Sequence, residues 1–520
     1  MGYGFLKPAR VVVSLIFFLL ITFAFIDFTN TLSGKFIQAI LYLQFVPSFI
    51  YFLELAGIAT AGFFIILLLT LLFGRIYCSS ICPLGTLQDI IIWTSGKIRR
   101  RKRFKKQKDF RWLKYSILIG VAGFLIFGYI TPLLLLDPYS NYGRMAANLF
   151  RPVYLLINNF GAYGLEAVDV YTLYRVEPGV THWMSVSFSL FIFLVVFILS
   201  IRFGRLFCNT LCPVGTLLGV VSRFSWFRIS LDKSMCTSCG ACSNVCKAGC
   251  IDVKSREVDF TRCVACFNCL SSCPSNGVLY SFKREKEPEV KIKFDADRRS
   301  LLAGSLVAAA SLATLPLSAQ QRRHRRKGGG PRQIDREFPV SPPGSASHEE
   351  FITACTACHL CVSACPSHVI KPSLLEYGLE GFMQPRMDYM ASYCNFDCII
   401  CTEVCPTGAL TPLTVEEKHV LQLGKVKFVK QNCIVHTEGT DCGACSEHCP
   451  TKAVYMVPYK KTLFLPEVNP DICVGCGACE YACPTDPKSI YVEGNPVHLE
   501  AEKPIIKPLE QAEEEEDFPF

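Results

Sequence analysis

Long apolar runs dominate the first 205 residues and then stop. Arg10 to Phe28 is almost unbroken apolar sequence, with Lys7 and Arg10 leading into it. Leu55 to Phe73 is a second run, Trp112 to Leu136 a third and Met184 to Ile201 a fourth. Each is close to the ~20 apolar residues a helix needs to cross the hydrocarbon of a bilayer, so the pattern predicts four membrane-spanning helices. No small-residue cleavage site follows the first run, which reads as an uncleaved helix rather than a signal peptide. The second and fourth runs end in one repeated turn, FGRIYCSSICPLGT from Phe73 and FGRLFCNTLCPVGT from Phe203. A duplicated helical hairpin would bring Cys78, Cys82, Cys208 and Cys212 to one depth at one membrane face.

After Ser230 the texture turns polar and cysteine-rich, up to about Phe294. Arg298 and Arg299 then precede a moderately apolar stretch of Ala, Ser and Leu that ends at Ala319. It is either a twin-arginine export signal inside the chain or a fifth membrane helix. Both readings change side at the same place. The expected organisation is a four-helix membrane module (1–225), a cytoplasmic two-cluster domain (230–290), the signal or fifth helix (295–319), and a linker (320–347). A periplasmic four-cluster domain (348–500) and an acidic tail (501–520) complete it.

Composition and charge support the membrane reading. The chain of 520 residues is 51% hydrophobic and 19% charged, more apolar than a typical soluble protein. Its net charge of +9 sits in blocks beside the apolar runs, where lipid headgroups and topology account for it better than nucleic acid does. KIRRRKRFKKQK, residues 97–108, holds nine Lys or Arg and no acid between the second and third runs. The positive-inside rule places that loop, the N-terminus and both Cys-x3-Cys-Pro turns at the cytoplasmic side, with 29–54 and 137–183 outside. Arg322 to Lys327 form a basic block on the expected outer side and oppose the rule locally. Long domains cross regardless of charge.

Of the 29 cysteines, 25 lie beyond residue 230, in six runs with one grammar. Three closely spaced cysteines are followed by a fourth, usually before proline. Two runs depart from the regular spacing, Cys394-x3-Cys398 and Cys433-x8-Cys442. In bacterial ferredoxin spacing three thiolates wrap one 4Fe–4S cubane and the fourth reaches the neighbouring cluster. Crossed pairing gives six sets. Cys236, Cys239, Cys242 and Cys273 form the first; Cys263, Cys266, Cys269 and Cys246 the second. Cys355, Cys358, Cys361 and Cys405 form the third; Cys394, Cys398, Cys401 and Cys365 the fourth. Cys433, Cys442, Cys445 and Cys483 form the fifth; Cys473, Cys476, Cys479 and Cys449 the sixth. Zinc sites show two cysteine pairs rather than triplets with a fourth. Cys250 is left over, and because Lys247 replaces the usual proline, Cys250 is either a substitute for Cys246 or a buried small residue. Cys355-Thr-Ala-Cys358-His359 also matches a c-type haem attachment motif, but its cysteines already open a ferredoxin run. His182 is the one histidine of the four-helix half, too few for bis-histidine haem.

These features together resemble two families joined in one chain. Residues 1–290, with the two Cys-x3-Cys-Pro turns, are similar to NapH-type membrane ferredoxin proteins and to the NosR and MauN membrane modules. Residues 295–500 are similar to NapG/MauM-type periplasmic 4Fe–4S proteins. The resemblance implies an α-helical membrane protein with α+β ferredoxin-like domains on both sides, in a bacterial inner membrane. It implies electron transfer from the quinol pool to a periplasmic reductase, of the nitrate type, or a c-type cytochrome, as part of a quinol dehydrogenase. A NosR-like role in activating a periplasmic metalloenzyme is the alternative. Cys78, Cys82, Cys208 and Cys212 are then either an extra redox centre or a docking point, because ~30 Å of hydrocarbon otherwise separates the two groups of clusters. Glu54, Asp137 and His182, near expected outer helix ends, are candidate proton acceptors for quinol oxidation.

Overall fold

Twelve helices precede the first strand among the described residues: α1 (Leu6–Ile26), α2 (Gly34–Leu41), α3 (Phe45–Leu55), α4 (Gly62–Phe73), α5 (Tyr77–Ser80), α6 (Pro83–Arg99), α7 (Arg111–Ile126), α8 (Thr131–Leu136), α9 (Pro138–Met145), α10 (Arg151–Glu166), α11 (Trp183–Phe203) and α12 (Pro213–Ser222). The computed structural model describes residues 5–55, 61–99, 110–176, 182–282, 334, 336–460 and 462–503. The expected signal or fifth helix, most of the basic loop, the block at 322–327 and residues 504–520 lie outside them.

Local chemistry sets the helix ends. Asp27 stops α1 by accepting the Thr29 and Thr31 amides at 3.0 and 2.8 Å, an Asx-type turn. α4 and α11 stop at Gly74 and Gly204, with φ of +79° and +64°, a backbone conformation that strains any residue with a side chain. Pro83 and Pro213 open α6 and α12, at positions whose amide has no helical partner to lose. Asp137 caps α9 by accepting the Ser140 amide at 2.8 Å.

Two described helices, α1 and α11, are each long and apolar enough to cross a bilayer; α2 with α3 pass only as a pair bent by 104°. Four such helices are expected from the apolar runs. The run from Trp112 breaks because Gly128 adopts φ +84° and Pro132 starts a new helix. Of the run from Leu55, α4 contributes 12 residues, and 56–60 lie outside the described residues. Parts of the regions expected on the outer side of the membrane fold into buried structure. α2 and α3 bury Ile37, Ile40, Val46 and Ile50, and every residue of α9 is buried. A polar segment can run inward here because Asp137, Asn141 and Arg144 bond within it and to nearby carbonyls.

α1 and α11 are inverted relative to helices of soluble proteins. Val12, Ile16, Leu19, Phe191, Leu194 and Ile198 face outward, while Ser14, Ser185, Ser189 and Ser200 are buried. Small residues let the helices approach closely where the surroundings are apolar.

The cysteine-rich parts are α+β. β1 (Phe227–Leu231) pairs antiparallel with β4 (Val278–Phe282), closing a small domain around β2 (Ile251–Asp252) and β3 (Glu257–Val258). Further on, β5 (Ile370–Pro372) pairs with β6 (Pro385–Met387), β7 (Leu421–Phe428) with β10 (Ile490–Glu500), and β8 (Val454–Lys460) with β9 (Leu463–Val468).

The two cysteine-rich parts dock at opposite ends of the helices. At the α11 C-terminus, the Arg205 amide donates to Lys247 O (2.9 Å) and Ser222 Oγ to Phe260 O (2.8 Å). At the other end, Gln38 donates to Glu403 O and Thr131 to Glu380 O, both at 2.8 Å, and Phe188 meets Phe382 edge-on. α1 links the two ends. Leu6 packs on the core of the 227–282 domain, and Phe25 packs on Tyr139, which lies beside Cys358.

Candidate metal centres and the paired thiol turns

All 29 cysteines are free thiols, and they gather into groups. One pocket is lined by Cys236, Cys239, Cys242 and Cys273, and another by Cys246, Cys250, Cys263, Cys266 and Cys269. Burial, then Cys355, Cys358 and Cys405, push the Cys361 thiol well up; burial, then Cys394, Cys365 and Cys398, do so at Cys401. Burial takes Cys445 to about 12, with Cys442, Cys483 and Cys433 adding to it. Cys479 is raised by burial, then by Cys476, Cys473 and Cys449. The third cysteine of each run therefore shares its surroundings with the last cysteine of another. Thiols pushed up in this way stay protonated until a metal displaces the protons.

The loops are shaped for something larger than one ion. Among the described residues no three Cys, His, Asp or Glu side chains converge closely enough to hold a single metal ion. A tetrahedral zinc with ~2.3 Å bonds would draw its sulfurs to roughly 3.8 Å of one another. In the four regular runs, the residues on both sides of the second cysteine have positive φ: Ser238 and Gly240, Ala265 and Phe267, Ala357 and His359, Gly475 and Gly477. Five of these eight have a Cβ, and left-handed backbone disfavours non-glycine residues by ~1–2 kcal/mol each. Alternating backbone hands turn amides into a concave, anion-binding surface. Two of those amides, Ala357 and Gly475, already donate to Cys355 and Cys473 Sγ at 3.4 Å.

A second recurring feature stands in the sequence beside the cysteine spacing. Each Cys-Pro pair of the six runs is followed by Ser or Thr. Its hydroxyl lies by the cysteine sulfur: Ser275 at 3.6 Å from Cys273, Ser367 at 3.5 Å from Cys365, Thr407 at 3.6 Å from Cys405, Thr451 at 3.8 Å from Cys449 and Thr485 at 3.2 Å from Cys483. Cys246 has no such hydroxyl. Cys250 Sγ lies 3.5 Å from it instead.

The two turns meet. Cys78, Cys82, Cys208 and Cys212 are all buried, and Cys212 lies within electrostatic reach of the other three. Each turn sends its arginine to the other: Arg75 Nη2 donates to Cys208 O at 3.0 Å, and Arg205 Nη1 to Cys78 O at 2.8 Å. Gly85 and Gly215 make room for this, since a Cβ on either would lie 2.8 Å from the incoming guanidinium. Asp89 breaks the symmetry, pairing with Arg10 and Arg205 at 2.8 Å and Lys247 at 3.0 Å. Arg75 and Arg205 stand in the quoted repeat, where the FGR shared by both copies was the signal that marked them; Asp89 lies just beyond the first copy.

The other candidate proton acceptors and the haem motif are not assembled into a site among the described residues. Asp137 is buried at the α9 cap, not at a solvated helix end. His182 is lowered by burial and then by Arg386. The Glu54 side chain lies outside the described residues. His359 has both ring nitrogens engaged, Nδ1 with Asn148 Nδ2 (3.2 Å) and Nε2 with Met383 O (2.9 Å), and burial pushes it down to about 3. That arrangement leaves no nitrogen for haem iron.

A family described as a 4Fe-4S binding domain matches residues 55–105 and 187–233, and two described as 4Fe-4S dicluster domains match 354–410 and 440–486. The chain is related to ferredoxin-type electron-transport proteins. It is 26% identical over 185 residues to the ferredoxin-type protein NapF of Escherichia coli O157:H7, covering 36% of this chain and 88% of NapF. It is 31% identical over 148 residues to the ferredoxin-type protein NapG of Escherichia coli K12, covering 26% of this chain and 62% of NapG. YccM of Escherichia coli K12, provisionally named an electron transport protein, is 27% identical over 228 residues, 44% of this chain and 56% of YccM. The chain thus spans less than two thirds of NapG and of YccM. No solved structure matches. The first 4Fe-4S match falls on the two helical turns rather than on the 236–273 runs.

Proposed function

We propose that this chain is a membrane-bound electron carrier in which the six thiol sets each hold a 4Fe–4S cluster, with the last cysteine of each run serving its partner cluster. The observation that carries the reading is the gathering of those sets at opposite ends of helices whose apolar faces point outward. The amide-lined loops and thiol-lined cavities fit cubanes, which would supply one-electron chemistry when bound. The surrounding residues exclude water, hold the thiols and donate hydrogen bonds to sulfur.

On this reading the 227–282 domain is cytoplasmic and the C-terminal region periplasmic. Electrons pass from quinol in the bacterial inner membrane to a periplasmic reductase or c-type cytochrome; similarity to a ferredoxin-type protein supports the electron-transfer part of this reading. The turn thiols Cys78, Cys82, Cys208 and Cys212 form a cofactor site, and 297–319 acts as a twin-arginine-like signal or a further helix. Anaerobically purified chain should hold about twenty-four irons or more, and its visible absorption should bleach on addition of a menaquinol analogue. A reporter fused after residue 345 should be exported. Far less iron, or a cytoplasmic reporter, would end the proposal.

A further inference from the structure

We propose that Cys78, Cys82, Cys208 and Cys212 together ligate one additional iron–sulfur cluster, which passes electrons between the Cys246/Cys263/Cys266/Cys269 set and the Cys355/Cys358/Cys361/Cys405 set. This rests on the reading of those two sets as cluster sites.

The first argument is charge. Arg10, Arg75, Arg205 and Lys247 surround the turns, and Asp89 is the carboxylate that answers three of them. Arg75 is 1% exposed and binds Asn209 Oδ1 at 2.8 Å, Thr261 O and Cys208 O at 3.0 Å, and lies 3.8 Å from Cys78 Sγ. Neutral oxygens do not cancel a buried guanidinium, and an unmatched buried charge is strongly disfavoured. Four thiolates around iron and sulfide carry net negative charge and supply the missing counter-ion.

The second argument is unmet hydrogen bonding. Arg75 Nε, Gln88 Nε2 and Asn209 Nδ2 are buried donors with no acceptor. Gln88 Oε1 lies 3.2 Å from Cys208 Sγ, so the opposite amide orientation would aim Nε2 at that sulfur. Donors to sulfur are a means of tuning iron–sulfur potentials. A lone divalent ion fits less well, because the four sulfurs do not converge to single-ion spacing.

The third argument is position. Arg205 lies within electrostatic reach of Cys266 on one side. On the other, Tyr77 is within reach of Cys82 and Asp137, and Asp137 of Cys358. Along α1, Arg10 marks the turns and Phe25 the Tyr139 contact. Fifteen residues at 1.5 Å put these levels about 22 Å apart, less than the ~30 Å of a full hydrocarbon layer. Each transfer moves one electron. The Cys263-side cluster is oxidised as the turn cluster is reduced, and the turn cluster is reoxidised as the Cys355-side cluster is reduced. In these transfers no bond forms and no proton moves. Quinol, oxidised to quinone in two one-electron steps with release of two protons, supplies the electrons on the 227–282 side, and an oxidised redox protein beyond the C-terminal region accepts them.

The test uses full-length chain purified without oxygen. Iron, acid-labile sulfide and dithionite-reduced EPR are compared for wild type, Cys78→Ser/Cys208→Ser, and the reference variant Cys236→Ser/Cys239→Ser. Wild type should hold about twenty-six to twenty-eight irons. The turn variant should lose roughly two to four irons and one EPR component, and the reference variant should keep that component. If the turn variant matches wild type in iron and EPR, the additional cluster is overturned while the six-cubane reading stands. If wild type itself falls far below about twenty-four irons, the six-cubane reading fails separately. Should the double variant not accumulate, Cys82→Ser is titrated by EPR: a moved or missing component supports the cluster, and an unchanged spectrum overturns it.

Discussion

Lysine follows Cys246 in the 227–282 domain, whereas proline follows Cys273 and the corresponding cysteines of the C-terminal region. The structure gives the lysine a purpose. Lys247 Nζ pairs with Asp89 at 3.0 Å, its carbonyl receives the Arg205 amide, and Gly204 is close enough that a Cβ there would lie 2.4 Å from that carbonyl. The loop that elsewhere ends in Cys-Pro-Ser/Thr has become the docking contact with the helices. The cost is the hydroxyl beside the sulfur, and Cys250 stands in its place. The C-terminal region meets the helices differently, through a shared apolar core of Phe25, Tyr139, Phe351 and Leu360 and few charges. One interface therefore depends on ion pairs around a single carboxylate, and the other on packing.

The largest expected effect comes from Asp89→Ala. It strands three cations in a mostly buried site and should cost about 3–5 kcal/mol. Thermal unfolding and limited proteolysis should show the 227–282 domain released while the C-terminal contacts persist; equal loosening of both ends would refute the contrast. Next is acid sensitivity of the C-terminal region. Burial holds His498 down to about 4, and its Nε2 lies 2.9 Å from Ser341 Oγ. A histidine depressed in the fold contributes stability that is complete above its unfolded pKa of ~6.5 and is lost as pH falls toward 4, at most about 3 kcal/mol. Chemical denaturation between pH 7 and 4 should show that slope, and His498→Gln should flatten it.

Smaller effects separate the sulfur neighbours. Cys250→Ala should retain full iron, whereas Cys246→Ala should lose one cluster; the reverse result would make Cys250 the ligand. Finally, Thr485→Val removes a hydroxyl at 3.2 Å from Cys483 while Ser489 remains at 3.1 Å. One cluster potential should fall by on the order of 40 mV for a ~1 kcal/mol difference between oxidation states. A redox titration that finds no shift would show that these hydroxyls are structural.

Cysteine spacing, apolar runs and the duplicated turn determined the chemistry by themselves, because a cluster loop is built from residues two or three apart and an apolar run needs no partner to be recognised. The thiol groups seen in space follow from that local grammar. Among the described residues fewer long spanning helices stand than the apolar runs predict, because composition does not register what Gly128 and Pro132 do to the backbone. The burial of α9 was not legible in any one segment, because it depends on Phe25, Gly143 and Cys358, which are far apart in the chain. Only the tertiary structure decided that Arg75 and Arg205 exchange turns, that Asp89 gathers three cations, and that Lys247 docks a domain. Each of these is a contact across more than 40 residues, and no periodicity within one segment encodes it.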